Sequence, residues 1–242
     1  MNLRTATAYD RVVCTTAWAA QEFTRIGVGV DRVALGVDRE TFHPARHDPA
    51  TRSGYAGPGD VLVVCGSRLS PEKQPQRAIE AVLELRRDGV PAVLVMAGDG
   101  PVLRALRRRA RGLPVHFVGF VEDRVRLATL FASADVVIAP GPAETFGLAA
   151  VEALASGTPV VVSGRSALPE VVGDAGVAVP DGDFAAAVRT VLGRDERDRR
   201  HAARARAEGF GWPAAVAGFL AAHGLPPHAA APAGRPAVGP LA

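Results

Sequence analysis

Short apolar runs alternate with amphipathic stretches from about residue 61 onward, and this alternation constrains the fold more than any other feature. Strands that alternate with helices are typical of a parallel sheet, and right-handed crossovers then place helices on both of its faces. We therefore predict an α/β fold built on a Rossmann-like, doubly wound parallel sheet. The predicted strands are Val61–Cys65, Ala92–Met96, His116–Val118, Val136–Ala139, Val160–Val162 and Val177–Val179, and the clearest helices are Gln76–Arg87, Val102–Arg111 and Ala149–Ser156.

The chain before this pattern is organised differently. One small βαβ-like piece is predicted first, with strands at Arg11–Cys14 and Val33–Leu35 around a helix at Trp18–Arg25. Residues 38–60 then hold three Pro, three Gly and two His without periodicity, which predicts an irregular interdomain linker. At the other end, residues 224–242 are mostly Pro, Ala and Gly, and we expect a disordered tail there.

Composition excludes several classes of protein. The chain has 242 residues, of which 48% are hydrophobic and 22% charged, which is typical of a globular protein with one full domain and part of a second. Cys14 and Cys65 stand far apart, so neither a disulfide framework nor a zinc site is indicated. A formal charge of +3 is too small to indicate nucleic acid. Residues 1–10 lack the pattern of a signal peptide, so we expect a cytoplasmic protein.

The chain's single lysine lies in the loop after the first strand of the predicted sheet. This loop places Arg68 and Lys73 between the end of a strand and the start of a helix. Arg offers a bidentate fork to phosphate, Lys a mobile charge, and a helix N-terminus adds unpaired N–H donors. The loop therefore predicts a diphosphate site, and the alternative is a pair of solvated loop charges.

Two carboxylates follow the predicted strand Val136–Ala139. Glu144 precedes the next helix and Glu152 lies about two turns inside it. Carboxylates accept hydrogen bonds from sugar hydroxyls, and the N–H groups of Phe146, Gly147 and Leu148 could hold a phosphate oxygen. The segment predicts a sugar-nucleotide site. The alternative is a Glu that favours the helix dipole and a second Glu that is solvated.

Taken together, these motifs resemble the family 4 glycosyltransferases of the GT-B fold, in which two Rossmann-like domains face each other across a cleft. The spacing from Glu144 to Glu152 fits the family's E-x7-E motif, and it is the most specific part of the resemblance. Other similar segments occur in the expected order: Gly36–Pro44, which is similar to GVD-x-x-x-F-x-P, the loop Gly66–Lys73, the turn Gly98–Pro101, Phe117–Val121 and Phe210–Trp212.

The resemblance implies a role for each matching residue. Arg68 and Lys73 would neutralise the donor's diphosphate and Glu144 would contact the transferred sugar, so these three are the expected catalytic residues. Glu152 would bind the nucleotide ribose. The remaining donor-binding residues would be Gly66, Val121 at the base, and the backbone of Phe146, Gly147 and Leu148. No metal ion and no cofactor are implied.

The implied reaction is the transfer of a hexosyl group, with retention of configuration, from a UDP- or GDP-linked sugar to a glycan or lipid acceptor. Residues 1–37 would be a remnant of the first domain, 38–60 the linker and 61–223 the nucleotide-sugar domain. We expect such a chain to be incomplete alone and a partner chain to supply the missing domain. The alternative is a non-catalytic nucleotide-sugar-binding module or partner subunit.

Three further features carry hypotheses of their own. Gly98-x-Gly100 lacks the third glycine of a dinucleotide fingerprint, which argues against a dehydrogenase. An arginine-rich stretch within 104–111 predicts a solvated helix face, and as a basic surface it could also contact anionic lipid at a membrane periphery. Trp212, Phe219 and Leu220 form an apolar stripe, which we expect to be exposed where the first domain is missing.

Overall fold

A six-stranded parallel sheet forms the centre of the molecule. The structure, a computed structural model, describes residues 2–226. The strands lie in the order β5-β4-β3-β6-β7-β8 and every neighbouring pair is parallel, so the predicted fold class is confirmed. Their bounds are β3 Val61–Gly66, β4 Ala92–Ala97, β5 Val115–Gly119, β6 Val136–Ala139, β7 Val160–Ser163 and β8 Gly176–Val179.

Helices cover both faces of this sheet. One face packs against α4 (Gln76–Arg87), α5 (Leu103–Arg109) and α9 (Phe184–Leu192), and the other against α6 (Arg124–Ser133), α7 (Leu148–Ala155), α8 (Leu168–Val172) and α10 (Glu196–Ala207). The four inner strands, β3, β4, β6 and β7, are buried on both faces, which is why they are continuous apolar runs without alternation. Cys65 lies in β3 as a free, fully buried thiol.

The N-terminal piece has its own small parallel pair of strands. After α1 (Asn2–Ala8), β1 (Val13–Cys14) pairs with β2 (Asp31–Arg32), and α2 (Ala17–Thr24) joins them. The prediction of a strand at Val33–Leu35 is wrong. Val33 donates one more hydrogen bond to the Cys14 carbonyl, but its side chain is buried against Gly218, so this apolar segment packs under a helix.

The segment 38–60 contains regular structure, so our prediction that it is irregular is wrong. A short 3-10 turn covers Pro44–Arg46 and α3 covers Pro49–Ser53, where Asp48 caps the helix by accepting from two backbone N–H groups. Phe42 is fully buried and packs against Phe131 of α6. Helices of one turn are too short to show periodicity, so the sequence pattern does not reveal them.

The C-terminal helix α11 (Trp212–Ala222) lies against the N-terminal piece. Arg11 donates to the Ala222 carbonyl at 2.6 Å, and Trp212 packs on Gly36. Trp212 is 46% exposed, whereas Phe219 and Leu220 are half-buried, so only part of the stripe is exposed. The predicted tail lies outside the described residues from 227 onward. Within the described part, no helix combines the length and apolar character that crossing a membrane requires.

Candidate functional site

The sheet reverses its direction of growth between β3 and β6. From β3 the chain adds β4 and β5 on one side, and it then returns to add β6, β7 and β8 on the other. A crevice forms at the carboxyl ends of the strands where such a reversal occurs, and ligands of open α/β sheets bind there. The Arg68–Lys73 loop follows β3 and the Glu144 loop follows β6, so both predicted loops meet at this crevice.

A glycine turn supports the loop after β3. Ser67 donates to the Ala97 carbonyl at 3.0 Å and Leu69 to the Asp99 carbonyl at 2.9 Å, so the loop pairs with the turn after β4. A Cβ atom at Gly98 would lie 1.9 Å from the Ser67 carbonyl oxygen, and Gly98 has φ +146°. The Gly98-x-Gly100 pattern therefore allows two backbones to approach closely.

Lys73 and Glu144 form an ion pair across the crevice. The Lys73 Nζ to Glu144 Oε1 distance is 2.6 Å, and each side chain is 21% exposed. A Cβ atom at Gly141 would lie 3.0 Å from the Lys73 Cα, so glycine lets the second loop reach the first. The Glu144 carbonyl accepts from Ala167 N–H at 3.0 Å, which fixes the Glu144 backbone.

Arg68 is the free cation of this site. Its side chain is exposed, and its guanidinium makes no hydrogen bond or salt bridge with any residue between 2 and 226. A guanidinium that is already paired would have to exchange partners to bind a ligand, and Arg68 needs no such exchange. It is therefore available to an anion entering the crevice.

The first turn of α7 faces the same crevice. Gly147 begins the helix with φ +81°, and no side chain of the described part caps it. A Cβ atom at Gly147 would lie 2.2 Å from a methyl group of Leu168, so a larger residue does not fit. Phe146 turns inward and packs edge-on against Phe210 with ring centroids 5.7 Å apart, so only its backbone is available to a ligand.

Glu152 is buried about one turn inside α7, not the predicted two, because the helix begins only at Leu148. Arg124 at the start of α6 pairs with it. Arg124 Nη2 lies 2.9 Å from Glu152 Oε1, and the Glu152 side chain is only 10% exposed. Burial raises the pKa of Glu152, and the hydrogen bond and charge of Arg124 oppose that rise. The sequence analysis did not identify Arg124, because it lies 28 positions from Glu152 and in no motif.

Three adjoining cavities connect these residues. The first cavity, of about 220 Å³, is lined by Gly66, Arg68, Lys73, Glu144, Gly147 and Leu148. The second cavity, of about 400 Å³, shares Gly66 and Arg68 with the first and is also lined by Asp99, Phe120 and Val121. The third cavity, of about 300 Å³, shares Leu148 with the first and is lined by Asp38, Arg124, Glu152 and Trp212.

The predicted site residues therefore come together, with one difference. Every one of them lines an adjoining cavity except Phe146, whose side chain belongs to the core. Phe120, which is 76% exposed beside Val121, was missed, although it stands within the Phe117–Val121 motif. The described residues contain no cluster of three or more His, Cys, Asp or Glu side chains that could hold a metal ion.

Comparison with known proteins identifies the family. Residues 59–194 match the model of the family described as glycosyl transferases group 1. The chain belongs to this family. The matched residues of this group 1 chain include both loops of the crevice, all of α7 and Arg124.

Curated relatives of this group 1 chain extend the match. It is 51% identical over 227 residues to the GDP-mannose-dependent alpha-(1-6)-phosphatidylinositol dimannoside mannosyltransferase of Mycobacterium tuberculosis, covering 92% of this chain and 60% of that protein. It is 31% identical over 232 residues to the D-inositol 3-phosphate glycosyltransferase of Nocardia farcinica, covering 87% of this chain and 51% of that protein. The chain thus spans between about half and 60% of the length of these relatives.

Solved structures show the same fold. Anabaena Alr3699/HepE in complex with UDP superposes with a TM-score of 0.75 at 20% identity, covering 92% of this chain and 65% of that one. The C-terminal domain of a group 1 glycosyl transferase (LpcC) from Francisella tularensis gives a TM-score of 0.60 at 24% identity, covering 72% of this chain and 95% of that one. The Rossmann-like architecture is therefore that of GT-B glycosyltransferases.

Proposed function

We propose that this chain is the nucleotide-sugar-binding part of a retaining, metal-independent glycosyltransferase that transfers a hexosyl group from a nucleotide-diphospho-sugar. The single observation that carries this proposal is the convergence of Arg68, Lys73 and Glu144 on one cavity at the uncapped start of α7. Two cations and free backbone N–H groups suit a diphosphate, and a carboxylate beside them suits a sugar hydroxyl. Membership of the glycosyl transferases group 1 family supports the same reaction.

We further propose GDP-mannose as the donor and a mannosylated phosphatidylinositol as the acceptor. The support is the 51% identity to a relative that is named for this donor and acceptor. The second cavity, between Arg68 and Val121, has the size and apolar lining that a purine base needs. A lipid acceptor would fit a protein that works at a membrane surface, either alone or with a partner chain.

The chemistry follows from the charges at the first cavity. Departure of the nucleoside diphosphate leaves negative charge on its terminal phosphate, and Arg68 and Lys73 would stabilise that charge. Backbone hydrogen bonds to the Gly98 turn fix the loop on either side of Arg68, so the main rearrangement on binding is the exchange of partner at Lys73. Glu144 would bind hydroxyls of the transferred sugar while Lys73 passes from Glu144 to the diphosphate.

Removing the Lys73 charge tests the assignment. We expect Lys73→Ala to weaken GDP and GDP-mannose binding by about 1.5 to 3 kcal/mol, the usual contribution of a charged hydrogen bond, or roughly 10- to 150-fold in Kd. Isothermal calorimetry on the full chain measures this change. Arg104→Ala is the matched control, because Arg104 is an exposed cation of α5 outside the crevice and should bind GDP as the parent does. Equal affinities for Lys73→Ala and parent would argue against the site.

A transfer assay separates the enzyme from the binding module. The assay combines this chain with the first Rossmann-like domain of the proposed two-domain enzyme, supplied in the same chain or by a partner. We expect radiolabelled mannose to move from GDP-mannose to a phosphatidylinositol-mannoside acceptor in detergent micelles. Donor binding without transfer under every such condition would favour the alternative, a non-catalytic nucleotide-sugar-binding module.

A further inference from the structure

The Glu152 carboxylate lines the third cavity, and its two oxygens differ in their hydrogen bonding. Glu152 Oε1 accepts from Arg124 Nη2 at 2.9 Å, whereas Oε2 accepts no hydrogen bond from any group within residues 2–226. The side chain keeps 10% of its surface exposed, and that surface lines the third cavity. One oxygen of Glu152 is therefore held and the other is left open to a ligand.

Arg124 is itself held in place by the segment before α3. Its guanidinium carbon lies 4.8 Å above the ring of Phe42, which is fully buried. Phe42 closes a turn in which Asp38 accepts from the N–H groups of Glu40 and Thr41 and the Asp38 carbonyl accepts from Phe42 N–H. The Arg124 side chain is otherwise 56% exposed, so its orientation depends on the stacking with Phe42 and the hydrogen bond to Glu152.

The position of Arg124 is not explained by helix stability. Arg124 is the first residue of α6, directly after the capping residue Asp123. A cation in the first turn opposes the helix dipole and is unfavourable there. An unfavourable cation at the start of a helix is expected where a functional contact outweighs the loss of helix stability.

Glu152 lies on the face of α7 that also lines the first cavity. Leu148 and Ala149 stand four and three positions before it, so all three share one side of the helix. Leu148 lines the first and third cavities and Ala149 the first and second. In a nucleotide with its base in the second cavity and its diphosphate in the first, the ribose would lie beside Ala149, which lines both cavities and stands one turn before Glu152 on the same side of α7.

We propose that Arg124 is a positioning residue for nucleotide recognition, which binds Oε1 of Glu152 and thereby turns Oε2 toward the ribose hydroxyls. This proposal rests on the proposed function, because it takes a nucleotide as the ligand. Without Arg124, the buried carboxylate would rotate and would hold its proton more readily, since Arg124 is what opposes the effect of burial on the pKa of Glu152.

The other charged groups around Glu152 pair elsewhere or are exposed. Asp38 shares the third cavity but is turned into its own backbone hydrogen bonds. Of the other charged or titratable side chains on elements packed against α7, Arg200 pairs with Glu196, Arg204 with Glu208 and Arg199 with Asp135. Arg206 donates to the Val171 and Glu170 carbonyls, and the Glu170 carboxylate accepts from the start of α2. The rest are exposed, namely Arg126, Arg197, Asp198 and His201. Arg124 is thus the one cation of the described residues that pairs with Glu152.

The test compares GDP with 2′,3′-dideoxy-GDP, which lacks the ribose hydroxyls. Calorimetry on the full chain should show that the parent prefers GDP by about tenfold or more, as expected for a hydrogen bond to a charged group. In Arg124→Gln we expect the preference to fall to within about threefold, and in Arg124→Lys, which keeps the charge but not the planar stack on Phe42, to be restored only in part. Arg126→Gln, the same change on an exposed arginine two residues along, should keep the parent's preference.

The pH dependence provides a second readout, which a purely structural role would not change. Between about pH 8 and pH 5 the ratio of the two affinities should begin to fall at a higher pH in Arg124→Gln than in the parent, because loss of Arg124 raises the pKa of Glu152 further. Ionisation of the phosphates affects both nucleotides and cancels in the ratio. A melting curve close to the parent's shows that each variant is folded, and Glu152→Gln should reproduce the loss of preference in a second, independent variant.

The outcomes separate the two proposals. No binding of GDP by the parent would overturn both. Binding of GDP with no preference over the dideoxy form, or with the preference intact in Arg124→Gln, would overturn the positioning role and leave the proposed function standing. If Arg124→Gln weakened the binding of both nucleotides equally, Arg124 would contact the phosphates and not position Glu152. That result would also overturn the positioning role.

Discussion

Glu152 shows a conflict between binding and stability, because the carboxylate proposed to bind the ligand is costly to bury in the folded protein. Its carboxylate is buried on an otherwise apolar face of α7, where Arg124 is its one partner among residues 2–226, and burial raises its pKa. The folded protein therefore holds the Glu152 proton more tightly than the unfolded chain does. The contribution of Glu152 to the free energy of unfolding must then fall as pH rises from about 4.3, the unfolded value, through the folded pKa.

Replacing Glu152 should thus stabilise the unliganded protein. We expect Glu152→Gln to melt at a higher temperature than the parent at pH 7, with a smaller difference at about pH 4, where both carry a neutral side chain. Calorimetric or fluorescence melting at the two values of pH measures this. Glu84→Gln, on an exposed position of α4, serves as the control with little expected change. A variant that melts below the parent at pH 7 would contradict the expectation.

Among single residues, the sequence predicted those with a recognised role in a motif. It missed those whose importance depends on a distant partner or on exposure in the folded protein. Lys73 and Glu144 were placed in one site because their loops follow neighbouring strands, and they lie 2.6 Å apart. Arg124 and Phe120 were missed for different reasons. Arg124 has its partner on another helix, and Phe120 resembles a core residue until its 76% exposure is known. The roles assigned to the site residues stay predictions until binding is measured.

Among the elements, the turn after β4 determines how firmly the Arg68 loop is held. The turn and the loop touch through backbone atoms, since Gly98 lies against the Ser67 carbonyl and Leu69 donates to Asp99. No side chain can be added between them without moving one of the two. The geometry of the first cavity therefore depends on an element that contributes no charged group to it.

Gly98→Ala should disturb both the stability and the site. The added methyl group would lie 1.9 Å from the Ser67 carbonyl oxygen at a backbone conformation with φ +146°. We expect a loss of about 2 to 4 kcal/mol in the free energy of unfolding, from overpacking and backbone strain, and weaker GDP binding because Arg68 is displaced. Urea denaturation and calorimetry measure these two effects. Gly112→Ala, at φ +78° in open space, should lose only about 1 kcal/mol and should bind GDP normally.

The elements of the main sheet were predicted to within about one residue, because buried parallel strands and amphipathic helices leave strong patterns. The strand Val136–Ala139 and the helix Gln76–Arg87 have the predicted bounds. The predictions failed for segments that are buried by distant parts of the chain and have no periodic pattern of their own. Val33 is apolar because α11 covers it, and α3 is too short to show a period.

Across the whole molecule, the N-terminal piece is joined to the loop that carries Glu144. Thr15 and Thr16 both donate to the Thr145 carbonyl, at 3.1 Å and 2.9 Å, and Glu170 accepts from Ala17 and Trp18 at the start of α2. The piece thus contacts the segment between Glu144 and the start of α7. Its docking and the geometry of the first cavity are therefore linked.

Loosening this contact should be visible at both of its ends. In a Thr15→Val, Thr16→Val double variant we expect faster amide exchange in residues 13–24 and 143–147, with the six-stranded sheet unchanged, since two hydrogen bonds and the cap of α2 are lost. The cost should be about 1 to 3 kcal/mol. Hydrogen exchange read by mass spectrometry locates the change. Thr24→Val, on the exposed end of α2, is the control. An exchange pattern identical to the parent's would show that the contact contributes nothing.

The burial of both thiols has a practical consequence. Cys65 is fully enclosed in β3, where burial raises its pKa to about 12, and Cys14 is buried with a raised pKa as well. Thiolates are the species that alkylating reagents attack, so the native chain offers almost none at neutral pH. A single cysteine introduced at an exposed position could then be labelled selectively with a fluorophore, without first removing the natural ones.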